Sequence, residues 1–245
     1  MDSYFLCGTP RSGSTLLCTL LSDTKNAGRP DSYFRKNSIV ERSDQFQISH
    51  LVGADFDRAY LTSVIDAGQS KSGVFGLRIM WDTFIELDEI LGRAFPNHAD
   101  FPQRLDRAFG TIKFVFLKRE DVVAQAVSLL KAKQGGLWHM ASDGTPLQQR
   151  PNKRPLVYDR VRISKLVAEM EEHNAGWEAW FRENGVSPLR LTYEHLADNP
   201  IRELQRVLDH INVPLKNAEG TKPKTARLAD HVNQNWVDRY KSTIG

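Results

Sequence analysis

Cysteine is scarce: the 245-residue chain has two, Cys7 and Cys18. Two cysteines make no disulfide framework, and no Cys-x-x-Cys pair offers zinc-ligand spacing. Long apolar runs are missing as well. None approaches the roughly 20 residues of a membrane-spanning helix, so no integral membrane span is expected. No basic segment followed by an apolar stretch and a cleavage site opens the chain, so nothing suggests secretion. Charge of one sign is also in short supply. Lys plus Arg number 33 against 30 Asp plus Glu, a net +3, which is too near neutral to argue for nucleic acid. No internal repeat or low-complexity segment stands out. The expectation is a reduced, cytoplasmic protein that handles a small molecule. At roughly 150 residues per domain the length allows one large domain or two small ones. A single domain over residues 1–245 is expected, and homodimerisation is left open.

The patterns that are present alternate. Ser3 to Cys7 is a short apolar run, followed by a loop rich in Gly, Pro and Ser. From Ser14, leucines 16, 17, 20 and 21 recur at helical spacing. Val74 to Met80, Thr111 to Leu117 and Leu189 to Tyr193 read as further strands. Helical stretches run over Thr83 to Arg93, Asp121 to Lys133 and Asp159 to Asn184. Another spans Pro200 to Ile211, with proline in its first turn. Trp177 and Trp180 fall in the long helix and read as packing residues. Strands separated by helices imply an α/β fold with a central parallel sheet covered on both faces. Ligands in such sheets bind beyond the carboxyl ends of the strands. Gly135 to Leu156 is the longest stretch without periodicity.

The loop after the first strand is Gly8-Thr9-Pro10-Arg11-Ser12-Gly13-Ser14-Thr15. It nearly fits GxxxxGK[ST], the phosphate-cradling loop of nucleotide hydrolases, but Ser14 replaces the lysine. The parts of an anion nest remain: two glycines, a helix start, Arg11 and the hydroxyls. A magnesium nucleotidase also wants an aspartate at the end of a neighbouring strand. Here the third strand ends in Lys118-Arg119, which would repel a metal and attract a second anion. Six residues after Cys7 stands Gly13 rather than arginine, so a tyrosine-phosphatase loop fails too. The expectation is an anionic group handled without metal, with a second basic site after another strand.

PRSGSTLL at 10–17 resembles the 5′-phosphosulfate loop of sulfotransferases that use 3′-phosphoadenosine 5′-phosphosulfate. AGRPDSYF (27–34), GLRIMW (76–81), KREDVVAQAVSL (118–129), GWEAWF (176–181) and WVDRY (236–240) follow in family order. Together they resemble the bacterial carbohydrate sulfotransferases typified by trehalose 2-sulfotransferase, with nodulation-factor and lipopolysaccharide sulfotransferases as relatives. The resemblance implies a single domain with a P-loop-kinase-like sulfotransferase fold and metal-independent in-line transfer. The implied donor is 3′-phosphoadenosine 5′-phosphosulfate, and the acceptor a hydroxyl of a carbohydrate or glycolipid precursor.

Carried onto this chain, the resemblance puts the phosphosulfate on Arg11, Ser12, Gly13, Ser14 and Thr15. It puts the 3′-phosphate on Arg119 and Ser128, with Gln125 sharing the role one helical turn away. The acceptor falls to Pro10, Arg29, Pro30, Ser32, Tyr33, Phe34 and Arg35. Where the family has a glutamate base this chain has Ser32, which cannot take a proton unaided at neutral pH. The adjacent Asp31 becomes the expected base, with Glu41, His50 and His139 as further candidates. Tyr33, Phe34, Trp81 and Trp138 are candidates for a sugar platform. Arg227, Arg239 and Lys241 are candidates for closing over the nucleotide, beside the commoner explanation of a charged helix face. Two rival readings stay open: a nucleotide-binding protein on the same fold that no longer transfers, and a degenerate P-loop kinase.

Overall fold

The computed structural model describes residues 2–140, 146–149, 155–214 and 231–242. Four parallel strands form the sheet: β1 (Asp2–Gly8), β2 (Val74–Met80), β3 (Thr111–Lys118) and β6 (Leu189–Thr192), in the order β2-β1-β3-β6. β1 lies between β2 and β3, with Gly8 opposite Met80 on one side and Leu117 on the other. Both faces are covered, so β1 is a continuous apolar run rather than an alternating one. Phe5 and Cys7 face a Phe-rich core with Phe75, Phe84, Phe116 and Trp177. Tyr4 and Leu6 face a Leu-rich core with Leu17, Leu20, Leu204 and Leu208.

The helices expected from periodicity are present as α1 (Ser14–Asp23), α4 (Trp81–Ala94), α6 (Val122–Gly135), α7 (Arg160–Glu183) and α9 (Pro200–His210). Five more complete the described set: α2 (Lys36–Gln45), α3 (Gly53–Gly68), α5 (Phe101–Phe109), α8 (Tyr193–Asp198) and α10 (His231–Lys241). Within the long aperiodic stretch, β4 (Leu137–Met140) pairs antiparallel with β5 (Pro146–Gln149). The last sheet strand stops at Thr192, one residue short of expectation. The Thr192 hydroxyl accepts from the His195 amide at 3.3 Å, so it caps α8 and Tyr193 belongs to that helix.

Two features aim the sheet's carboxyl end. The chain leaves β1 toward β2 on one side, while β3 lies on the other, so the crevice that such a switch point implies falls between the ends of β1 and β3. At that point β1 and β3 come very close. A Cβ on Gly8 would sit 2.7 Å from the Leu117 carbonyl oxygen, so only glycine fits. The Trp177 indole of α7 donates to the Gly8 carbonyl at 3.2 Å and closes the strand end from the other face. Trp177 therefore does more than pack.

Candidate functional site

The loop from Thr9 to Gly13 crosses the mouth of that crevice. Thr9 and Ser12 are fully buried, and Arg11 and Gly13 take left-handed backbone with φ of 67° and 88°. Left-handed backbone at a non-glycine residue is uncommon and is held only where surroundings enforce it. Here the enforcement comes from α6. The Gln125 amide donates to the Thr9 hydroxyl at 2.8 Å and to the Pro10 carbonyl at 2.7 Å. Gln125 thus braces the loop from a site with no solvent exposure. No side chain caps the start of α1, whose cap residue is Gly13. A helix start of this kind points its positive end at the loop, a setting that suits an anion. The Ser12 hydroxyl and the Gln125 carbonyl oxygen are buried without a hydrogen-bond partner among the described residues.

Arg11 and Arg119 share this site. Arg11 donates from Nε to the Ser128 hydroxyl at 3.1 Å and from Nη1 to the Trp138 carbonyl. Arg119 lies just past β3, its guanidinium 4.5 Å above the Tyr193 ring. Its Nε is buried and has no hydrogen-bond partner among the described residues. Neither arginine is paired with a carboxylate among the described residues. Burial, and then the charge of Arg119, push Arg11 from the usual arginine range down to about 10. Burial also lowers Arg119, with Tyr193, Glu194 and Asp121 pulling the other way. Two half-buried cations side by side, with donors to spare, form a cradle for polyvalent anions. Among the described residues no group of three or more His, Cys, Asp or Glu side chains is gathered to hold a metal. Neither cysteine offers a thiolate: burial raises Cys18 to about 12 and Cys7 well above its usual value.

The segment after α1 runs alongside β2. Asp31 bridges to Leu77 in parallel fashion, and the Arg78 amide donates to the Asp31 carbonyl at 3.1 Å. Both Asp31 carboxylate oxygens already accept hydrogen bonds. Oδ1 takes them from the Ser32 amide (2.7 Å) and Arg78 Nη2 (3.3 Å), and Oδ2 from Arg42 (2.5 Å). The carboxylate is held as an ion-pair partner, and the strand-like backbone leaves it no freedom to shift along the chain. Ser32 is buried and its hydroxyl accepts from Arg78 Nε at 2.9 Å. Tyr33 and Phe34 are core residues, 3% and 2% exposed, packed on Phe75, Tyr60 and Phe109. Their rings are not a surface platform for a sugar. Pro30 is buried, Arg29 and Arg35 are exposed, and Pro10, Trp81 and Trp138 are half-buried.

The other candidates scatter. Glu41 and His50 are exposed. His139 lies on β4, and Arg227 lies outside the described residues. Arg239 stacks 4.0 Å over the Tyr158 ring, and Lys241 pairs with Asp121 at 3.0 Å, fastening α10 to the start of α6. A cleft of about 630 Å³ opens beyond β3 and β6 against α7, lined by Lys118, Glu120, Asn174, Glu178 and Arg190. Glu178 pairs with Arg190 at 2.6 Å. Its walls mix both charges. Sequence reasoning missed Arg78, the one charged residue in β2. A guanidinium inside an apolar strand was the signal available.

Fold and site together define an α/β protein with a strand–loop–helix anion cradle backed by a second arginine. The family model described as Stf0 sulphotransferase matches residues 3–243, and the chain belongs to that family of sulfotransferases. It is 29% identical to the trehalose 2-sulfotransferase of Mycobacterium tuberculosis (strain ATCC 35801 / TMC 107 / Erdman), over 98% of this chain and 94% of that one. It is 27% identical, at the same coverage, to the trehalose 2-sulfotransferase of Mycolicibacterium smegmatis (strain ATCC 700084 / mc(2)155). Among solved structures, the sulfotransferase domain from the curacin biosynthetic pathway aligns with a TM-score of 0.52 at 14% identity. That alignment covers 98% of this chain and 90% of that domain, and shows a shared fold. Among the described residues no helix is long and apolar enough to cross a membrane.

Proposed function

We propose that the protein transfers a sulfuryl group from 3′-phosphoadenosine 5′-phosphosulfate to a hydroxyl of a carbohydrate or glycolipid-precursor acceptor. The observation that carries the reading is the pair of half-buried guanidiniums, Arg11 and Arg119, unpaired by carboxylates among the described residues, at the mouth of the loop. A donor with separate 5′ and 3′ anionic groups supplies the missing negative charge at both. The trehalose 2-sulfotransferases among its relatives support a sugar hydroxyl as acceptor.

In the proposed reaction the acceptor oxygen attacks sulfur in line. The bond from sulfur to the bridging phosphate oxygen breaks, adenosine 3′,5′-bisphosphate leaves with that oxygen, and the acceptor hydroxyl's proton passes to water. Ser12, Gly13, Ser14 and Thr15 hold the 5′-phosphosulfate with loop amides and hydroxyls. Arg11 balances charge building on the bridging oxygen, a role in which one donor is typically worth about 3–4 kcal/mol of barrier. Arg119 and Ser128 take the 3′-phosphate, and Gln125 holds the loop in register. Arg11 turns from Ser128 and the Trp138 carbonyl to the donor, which frees Ser128. Pro10 and the segment from Arg29 to Arg35 flank the acceptor.

Calorimetry with a chelator present tests the donor. Adenosine 3′,5′-bisphosphate should bind without added metal and ATP far more weakly. A strict magnesium requirement, or a preference for ATP, would overturn the reading in favour of a kinase-like site.

A further inference from the structure

Arg78 stands in β2 opposite Leu6, two residues before the strand ends. Its strand neighbours Leu77 and Ile79 are buried core, and its own side chain is 13% exposed. All three guanidinium nitrogens are committed, each to a different side chain. Nη1 donates to the Thr15 hydroxyl at 2.8 Å, Nε to the Ser32 hydroxyl at 2.9 Å, and Nη2 to Asp31 Oδ1 at 3.3 Å. Thr15 belongs to the first turn of α1, on the anion cradle. Ser32 and Asp31 belong to the segment beside β2. Asp31 in turn holds Arg42, whose guanidinium lies 4.6 Å over the Tyr33 ring. One planar fork therefore ties the anion loop to the neighbouring segment.

We infer that Arg78 is a positioning residue that couples the donor loop to the acceptor segment, and that Asp31 acts through Arg78 rather than on the acceptor proton. The inference rests on the proposed donor reading for what Thr15 holds. A hydroxyl that accepts from a fixed guanidinium has its orientation set, so Arg78 aims Thr15 at the anion. The same fork holds the Ser32 hydroxyl and the Asp31 carboxylate beside that loop. Lysine cannot replace it, because an ammonium on a flexible stem has no fork of fixed donors.

The test is a double-mutant cycle read by calorimetry with adenosine 3′,5′-bisphosphate, on wild type, Arg78→Met, Thr15→Val and the double variant. Each single change should weaken binding about tenfold, the scale of one charge-assisted hydrogen bond. If Arg78 works through Thr15, the double variant should fall within about twofold of the weaker single one. Losses that multiply to about a hundredfold mean independent action and overturn the inference. Arg78→Lys should stay weakened, and full rescue by lysine would show that charge alone suffices. Asp31→Asn should weaken the nucleotide severalfold. Unchanged affinity with lost transfer would return Asp31 to the role of base. Thermal melts check that each variant is folded, and Arg78→Lys with Thr15→Val completes the cycle if Arg78→Met is not. If wild type fails to bind the nucleotide, the donor reading fails. The same cycle is then read from protection by inorganic sulfate against thermal unfolding, where independent losses again overturn the coupling.

Discussion

Arg119→Met separates an anion-binding arginine from a structural one. In the free protein this guanidinium has an Nε without a partner among the described residues and a cationic neighbour, Arg11. Placing Arg11 at about 10 corresponds to about 3 kcal/mol set against its charged form, most of it burial and part of it Arg119. The sign is simple. A base whose pKa is lowered by folding destabilises the fold wherever it is protonated, and the penalty fades only above pH 10. Across pH 6–9 the penalty is constant, so only a bound anion or loss of a charge relieves it. Removing Arg119 relieves part of it and forfeits the stacking on Tyr193, worth about 0.5–2 kcal/mol. The melting temperature of the free protein should therefore change by only a few degrees.

The ligand response should change far more. Adenosine 3′,5′-bisphosphate at 100 times its Kd stabilises wild type by about 2.7 kcal/mol. For a chain of this size that is about 5–11 °C. Losing a charged hydrogen-bond partner costs about 1.5–3 kcal/mol, or roughly 10- to 150-fold in Kd. At the same ligand concentration the variant should then gain only about 0.3–1.4 kcal/mol. Adenosine 5′-phosphosulfate, which lacks the 3′ group, should shift both proteins alike. Scanning fluorimetry with the two ligands reads all of this. A steep fall in the free protein's melting temperature with an undiminished ligand shift would refute the assignment and make Arg119 a structural residue.

Two glycines give further checks. Gly13→Ala puts a Cβ on left-handed backbone and 2.7 Å from the Tyr193 ring, so it should lower stability by about 1–3 kcal/mol and blunt the nucleotide-induced shift in melting temperature. Gly176→Ala puts a Cβ 2.4 Å from the Trp81 indole on a helix of ordinary geometry. It should cost about 1–3 kcal/mol through overpacking, while calorimetry finds nucleotide affinity within about twofold of wild type.

The fold was legible where burial acts on both faces of an element. Thr111 to Leu117 is rich in β-branched and aromatic residues, and its run from Phe114 to Leu117 is buried without alternation because the strand is covered on both sides. α7 was legible from its apolar stripe, and α9 from its proline. α2 was not, because Ser43 is its one buried residue and a helix lying on the surface writes no stripe. α3 does carry one, Tyr60, Leu61 and Val64, but it opens on a glycine and interleaves aspartates, which mask a helix start. The boundary at Thr192 turned on a single capping hydroxyl, which a strand-forming residue type conceals.

The site divides along a different line. The loop's form was legible because the physics is local: glycines, a helix start and an arginine fall within eight residues. What ties the cradle to the rest of the molecule is not local. Gln125 reaches Thr9 across 116 positions and Arg78 reaches Thr15 across 63. Nothing in a linear pattern says which hydroxyl a buried amide or guanidinium will find. The same blindness explains Asp31. Its neighbours in sequence suggest a free carboxylate beside the acceptor, and only the register of the segment against β2 brings Arg78 to one oxygen while α2 brings Arg42 to the other. The residue types expected of the loop and its arginines were present in the string. Which of them holds an anion and which holds another side chain is decided by the strand order that folds residues 31, 78 and 15 together.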